Sequence, residues 1–260
     1  MIRFIASDID GTLLRNGNTA ISAETLDLLG RLCDRGIIVA IASGRQYPTM
    51  KRLFGDIADK LIYICENGAL VVYKGKILSK TVMDREIVLE IVEDILSMPN
   101  CEVLLSGKYV SYLKPKTQAY FDRIHDRIKN NICLPVDFSK IDDEFLKVAC
   151  CDTSGIVNSK DHFYEKWSGK VKTAVSGELY FDFTSEGVNK GDALTKILKE
   201  YNISSEEAMA FGDSYNDIEM LNNVKFSYAM SDADDEIKAH AYGTTSDVNI
   251  ILRKVLLGEI

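Results

Sequence analysis

Short, largely apolar runs that stop abruptly on a polar residue recur at both ends of this chain. MIRFIA runs up to Ser7 and Asp8, IIVAIA (from Ile37) stops at Ser43, LIYIC (Leu61 to Cys65) stops at Glu66, and AMAFG stops at Asp213. Strands that are apolar on both faces belong to parallel sheets buried between layers of helix. The intervening segments supply those helices. Ser22 is a candidate N-cap, Leu26, Leu29, Leu32 and Cys33 make an apolar face, and Gly36 is a stop signal; a shorter helix is expected over Pro48 to Phe54. This βαβαβ order predicts a parallel α/β sheet covered on both sides.

The rhythm then breaks and later resumes. ALVVYKGKILSK reads as a hairpin turning at Lys74-Gly75. It is followed by a helix over Glu86 to Met98, strands near Glu102 to Leu105 and Tyr109 to Leu113, and a helix from Thr117 to Lys129. The strand FLKVACCD, a helix around Asp161 to Trp167 and a hairpin over VKTAVSGELYFDF come next. After Gly187 the first pattern returns, with a helix from Lys190 to Glu200, the strand AMAFGD, a short helix over Asp217 to Leu221, the strand KFSYAM and two closing helices. The A–B–A order predicts a core in two segments, residues 1–82 and 185–260, with an α+β module inserted as residues 83–184.

Composition excludes several functions. An apolar share of 46% with 27% charged residues is that of a soluble globular chain. No apolar run approaches the roughly 18 residues of a membrane helix, so no membrane partner is expected. A net charge of −8 without a basic stripe argues against nucleic acid as a partner. The N-terminus lacks a secretory layout, since Asp8 and Asp10 interrupt its short apolar stretch. The six cysteines (33, 65, 101, 133, 150 and 151) form no C-x-x-C pair and read as buried reduced thiols, consistent with a cytoplasmic location.

In a parallel α/β sheet, ligands bind at the carboxyl ends of the strands. Asp8 and Asp10, Ser43, and Asp213 all stand there. Asp8 and Asp10 are two residues apart, so at an extended strand end they lean one way with Ile9 opposite. Converging carboxylates repel, and the group persists only if a cation is present or if some of its members take up protons. With no histidine or cysteine cluster, oxygen ligands select a hard ion, for which Mg2+ fits best. Lys190 and the backbone amides of Gly11 and Gly44 add donors for phosphoryl oxygens.

These segments resemble the four ordered motifs of the haloacid dehalogenase-like superfamily, in its Cof-type phosphatase branch. DIDGTL matches the first, ASGR (Ala42 to Arg45) the second, Lys190 in GVNKGDAL the third, and GDSYNDIEML (Gly212 to Leu221) the fourth; ENGAL (Glu66 to Leu70) adds to the likeness. The resemblance implies a fold of class α/β, a Rossmann-like parallel-sheet core with an inserted α+β cap. It implies an enzyme, a phosphoric monoester hydrolase acting on a small-molecule phosphate ester such as a sugar phosphate. Asp8 would be the nucleophile and Asp10 the general acid and base. Mg2+ would be held by Asp8, Asp10 and Asp213, with Asp217 supporting it. Ile9, Ser43, Gly44, Lys190 and Asn216 would bind the phosphoryl group. A phosphomutase using the same intermediate and a phosphate-binding module without turnover are the alternatives. Arg45 either neutralises the site or pairs with a core acid, Asn67 and Gly68 shape the turn that faces the cap or else contact substrate, and the oligomeric state stays open.

Overall fold

The computed structural model describes residues 1–15 and 17–260. They divide into two compact units, one made of Met1–Arg45, Met50–Ser79 and Asn189–Ile260, the other of Gln46–Thr49 and Lys80–Val188.

Among the described residues the first unit is built on an eight-stranded sheet. Its strands are β1 (Phe4–Asp8), β2 (Ile38–Ala42), β3 (Ile62–Cys65), β4 (Leu70–Tyr73), β5 (Lys76–Lys80), β12 (Ala208–Gly212), β13 (Phe226–Met230) and β14 (Gly243–Thr245). Their order is β14-β13-β12-β1-β2-β3-β4-β5. Every pair from β14 to β3 is parallel, and β4 lies antiparallel on β3. The turn between β4 and β5 has both central residues left-handed, Lys74 at φ 49° and Gly75 at φ 73°, which is the twist a two-residue hairpin requires. The helices of this unit are α1 (Ala23–Asp34), α6 (Lys190–Glu200), α7 (Ile218–Asn222), α8 (Asp235–Lys238) and α9 (Val248–Leu257). The short α2 (Tyr47–Arg52) stands where the chain passes between the units' segments.

Side-chain size decides which helix covers which face. Phe4 and Ala6 of β1, Ala40 and Ala42 of β2, and Ala208 and Ala210 of β12 share one buried cluster with Leu194 and Ile197 of α6 and Leu221 of α7. The small residues let those helices approach closely. Because Cβ atoms alternate along a strand, Asp8 continues the Phe4–Ala6 face and emerges on the side of α6. The opposite face takes α1, whose N-cap Ser22 accepts from the amide of Thr25 and which packs against α9.

The second unit carries a six-stranded sheet among the described residues, ordered β10-β11-β9-β6-β7-β8. Its strands are β6 (Cys101–Ser106), β7 (Ser111–Leu113), β8 (Ile132–Cys133), β9 (Lys147–Asp152), β10 (Lys172–Val175) and β11 (Tyr180–Thr184). Helices α3 (Arg85–Ser97) and α5 (Lys160–Trp167) cover one face, and α4 (Gln118–Asp122) the other. Adjacent cysteines on β9 part as strand geometry requires: Cys150 packs with the α3 and α5 side, Cys151 with Tyr120 and Ile124. The single helix expected over Thr117 to Lys129 is instead α4 followed by a π-helical stretch, Arg123–Ile128, that ends on a left-handed Lys129. The strands β8 and β14, of two and three residues, were not anticipated. Among the described residues no helix is long and apolar enough to cross a membrane.

One buried carboxylate ties α3 to α5. Asp94 accepts from Lys166 Nζ at 2.6 Å, Trp167 Nε1 at 2.8 Å and His162 Nε2 at 3.0 Å. Burial pushes its pKa up, but the hydrogen bonds from Lys166, Trp167 and His162 outweigh that and hold it below the usual value. Replacing Asp94 with alanine is expected to cost about 2–3 kcal/mol, since it strands the buried indole N–H and removes charge-assisted bonds. A group with a depressed folded pKa contributes stability above its unfolded pKa, near 4, and loses it as pH falls through the folded value. The gap in melting temperature between wild type and variant should therefore be widest at pH 7 and narrow in strong acid; a constant gap would remove the ionised carboxylate from the account.

Candidate active site

The central strands bring distant residues together. β1 and β12 are neighbours in register, Ala6 opposite Ala210 and Ser7 opposite Phe211, so Asp8 and the residue after β12, Asp213, leave the sheet side by side. β2 flanks β1 with Ala42 opposite Asp8, which places Ser43 at the same edge. Lys190 opens α6, whose N-cap Asn189 accepts from the amide of Asp192 at 2.7 Å. The last acid, Asp217, closes the turn before α7.

These residues form one buried charge cluster. Lys190 Nζ lies 2.5 Å from Asp8 Oδ1 and 2.7 Å from Asp217 Oδ1. Asp8, Lys190 and Asp217 are 5%, 1% and 0% exposed, so solvent screening is slight. The other oxygen of Asp217 accepts from the amides of Asp213 and Ser214, each at 3.1 Å. Both of its oxygens are thus committed, one to the lysine and one to the loop that carries Asp213. The half-buried carboxylate of Asp213 accepts from Thr12 Oγ1 at 2.7 Å and Ser214 Oγ at 3.2 Å. One oxygen from each of Asp8, Asp213 and Asp217 lies within 4.8 Å of the others.

Three carboxylates against one ammonium leave a surplus of buried negative charge. Burial pushes the pKa of Asp8 well up; Lys190 opposes this, while Asp217 and Asp213 add to it. Asp213 is raised too, first by burial and then by Asp217, with the Thr12 hydrogen bond opposing. Burial alone would discharge Lys190, but Asp217 and Asp8 more than offset it and hold its pKa above the usual value. An all-oxygen donor set of crowded carboxylates fits a small hard divalent cation such as Mg2+.

Close approach requires glycine at one point of this cluster. Gly11 has φ 87°, and a Cβ on it would stand 2.2 Å from Asp213 Oδ2. The loop lies on Asp213 because nothing projects there, and Leu14 N to Ile9 O at 2.7 Å closes it.

The remaining expected residues are arranged differently. The carboxylate of Asp10 stands outside the three-acid group, where Arg45 forks onto it through Nε at 2.7 Å and through Nη2. Arg45 thus pairs with the exposed Asp10 and not with a core acid. Ile9 is wholly buried, leaving only its backbone to a ligand. The hydroxyl of buried Ser43 accepts from the amide of Arg45 at 3.2 Å. Gly44 lies against Asn67, and Asn216 Nδ2 donates to Asn67 Oδ1 at 3.0 Å. Thr12 as the support of Asp213 was missed from the sequence, although it follows Gly11 directly in the first motif. The sequence reads Asn67 as shaping a turn or touching substrate, and its pairing with Asn216 lies outside both readings.

Comparison with known proteins identifies the family. The profile of the haloacid dehalogenase-like hydrolases matches residues 5–250. A 5-amino-6-(5-phospho-D-ribitylamino)uracil phosphatase of Escherichia coli is 27% identical over 241 residues, 92% of this chain and 89% of that protein. A phosphoglycolate phosphatase of Staphylothermus marinus is 29% identical, covering 98% of this chain and 99% of that one. A crystal structure from Eubacterium rectale superposes with a TM-score of 0.87 at 30% identity, over 98% of this chain and 99% of that chain. With an α/β sheet whose strand ends gather these acids and a profile spanning nearly its whole length, the chain belongs to the haloacid dehalogenase-like hydrolases, among their phosphatases.

Proposed function

We propose that the protein is a Mg2+-dependent phosphatase of small phosphorylated metabolites, sugar-phosphate-like monoesters, that works through an aspartyl-phosphate on Asp8. The observation that carries this reading is the buried Lys190 between Asp8 and Asp217, with Asp213 beside them. Such a charge surplus is costly in a folded protein. A strand-end turn has no need of it, whereas phosphoryl transfer, which is mostly positioning and charge neutralisation, does.

Asp8 attacks phosphorus in line, forming an acyl-phosphate bond while the P–O bond to the leaving group breaks. Asp10 gives a proton to the departing alkoxide, then takes one from the water that attacks the same phosphorus. That second displacement frees inorganic phosphate and restores the Asp8 carboxylate. Lys190, the backbone around Ile9 and Gly44, the Ser43 hydroxyl and Asn216 hold the phosphoryl oxygens. Mg2+, when bound by Asp8, the Asp10 carbonyl and Asp213, supplies positive charge that lets a dianionic ester approach carboxylates. The double commitment of Asp217 supports a role in orienting Asp213 and Lys190. The domain reading belongs to the same proposal: residues 83–184 are an inserted cap that favours small substrates, between core segments 1–82 and 185–260. The relatives named for a ribitylaminouracil phosphate and for phosphoglycolate support a small phosphorylated metabolite as the substrate.

The test is phosphate release from an aryl phosphate and from a panel of phosphorylated sugars, nucleotides and cofactors. Release is expected to need Mg2+ and to stop with EDTA; undiminished release in EDTA would overturn the reading. Asp10→Asn should slow sugar phosphates about 10²- to 10⁴-fold and aryl phosphates much less, because a phenolate leaves without a proton. Equal losses on both would take the general-acid role from Asp10.

A further inference from the structure

The chain leaves β3 through three successive left-handed residues, Glu66 at φ 48°, Asn67 at φ 57° and Gly68 at φ 105°. Two non-glycine residues in that region side by side are uncommon, and such a conformation persists only where its surroundings over-determine it. Here those surroundings are the loops assigned above to the phosphoryl group. Glu66 N donates to Arg45 O at 3.1 Å and Asn67 N to Ser43 O at 3.0 Å. Gly68 is pressed so closely on the residue before Lys190 that a Cβ would come 2.3 Å from Asn189 O.

The side chain of Asn67 joins two of these loops directly. Its Oδ1 accepts from Asn216 Nδ2 at 3.0 Å across 149 positions of sequence. Its amide also covers Gly44, where an added Cβ would stand 3.1 Å from that same Oδ1. We infer that Asn67 is a positioning residue for the phosphoryl group, fixing the Asn216 amide and the Ser43–Gly44 loop in the arrangement that receives the phosphoryl oxygens. This rests on the phosphatase reading of the same site.

The physical need is for orientation. A free carboxamide can turn either its NH2 or its oxygen toward an anion, and the oxygen repels it. With Oδ1 of Asn67 as acceptor, the NH2 of Asn216 is held on one side, and its second N–H has a fixed direction. Asn67 is neutral, so it does this without altering the Asp8–Lys190–Asp217 charge balance. Glycine would adopt the same turn with less strain. The amide is therefore what asparagine adds.

The experiment compares wild type, Asn67→Gly, Asn216→Ala and the double variant on an aryl phosphate in Mg2+, with inorganic phosphate as inhibitor and thermal melts as control. Asn67→Gly is expected to lower kcat/KM roughly 10- to 100-fold, weaken inhibition by inorganic phosphate in parallel, and leave the melting temperature unchanged or higher. In the Asn216→Ala background most of that loss should vanish, because the two residues share one route. Wild-type kcat/KM in Asn67→Gly, or the same loss in both backgrounds, would overturn the inference. Should the wild type hydrolyse nothing, direct binding of inorganic phosphate separates the two ideas. Weaker binding by Asn67→Gly keeps the positioning role while the phosphatase reading falls, and equal binding ends both.

Discussion

Asp8→Asn is expected to abolish phosphate release, by a factor on the order of 10⁴ to 10⁶, while the protein melts no lower than wild type. The two halves of this expectation have one cause. Asp8 sits in a buried group of three acids served by one lysine, and its pKa is pushed well up by burial and by its acidic neighbours against the pull of Lys190. The fold holds this anion reluctantly. Asparagine has nearly the same shape, still accepts from Lys190 through its oxygen, and removes one negative charge from a site with too many. Sites built for chemistry commonly carry such strain, and neutralising them commonly stabilises. What asparagine lacks is an anionic oxygen to attack phosphorus, and no neighbour can supply it: Asp217 has both oxygens engaged, and Asp213 is held by Thr12 and Ser214. Phosphate release and a thermal melt on the same preparation decide the matter. Activity within about tenfold of wild type would remove Asp8 as nucleophile, and a marked drop in melting temperature would remove the argument about reluctant charge.

Both expectations come from residues the sequence already exposed, and the reason is local. Strands apolar on both faces are distinctive, and each ends within two residues of the end of its apolar run, so the edge carrying Asp8, Ser43 and Asp213 could be located from one chain. That Asp8 continues the face of Phe4 and Ala6, where α6 brings Lys190, became visible only in the fold. The strands β8 and β14 escaped because two or three residues are too few to show alternation. The π-helical stretch after α4 escaped because its apolar spacing resembles that of an ordinary helix. Partners across long separations were the harder loss. That Thr12 would hold Asp213, 201 positions away, or that Arg45 would fork onto Asp10, depends on loop paths that no periodicity encodes. Asn67 was harder still: asparagine before glycine signals a turn, and neither that signal nor a contact with substrate points to a partner at Asn216.

Lys190→Met should be the most damaging single change to the fold of this site. Methionine matches the length of the lysine stem, so the packing around α6 survives, but the buried carboxylates of Asp8 and Asp217 lose their shared counter-charge. Removing one partner of a buried pair costs about 3–5 kcal/mol, which for a chain of this size lowers the melting temperature by roughly 10 °C. The deficit should depend on pH, and its sign can be worked out. Without the ammonium, a carboxylate in this site has a folded pKa above its unfolded value, so the folded state binds more protons and stability falls as pH rises. The variant should therefore approach wild type near pH 4 and fall furthest behind at pH 7 and above. Added Mg2+ should raise the melting temperature of the variant more than that of wild type, since a divalent cation restores part of the missing charge. Turnover should drop about 10²- to 10³-fold at least, as expected when a group that balances transition-state charge is lost. A variant that melts with wild type at pH 7, or whose deficit is the same at pH 4, would mean that Lys190 is not the charge that makes this cluster of acids tolerable.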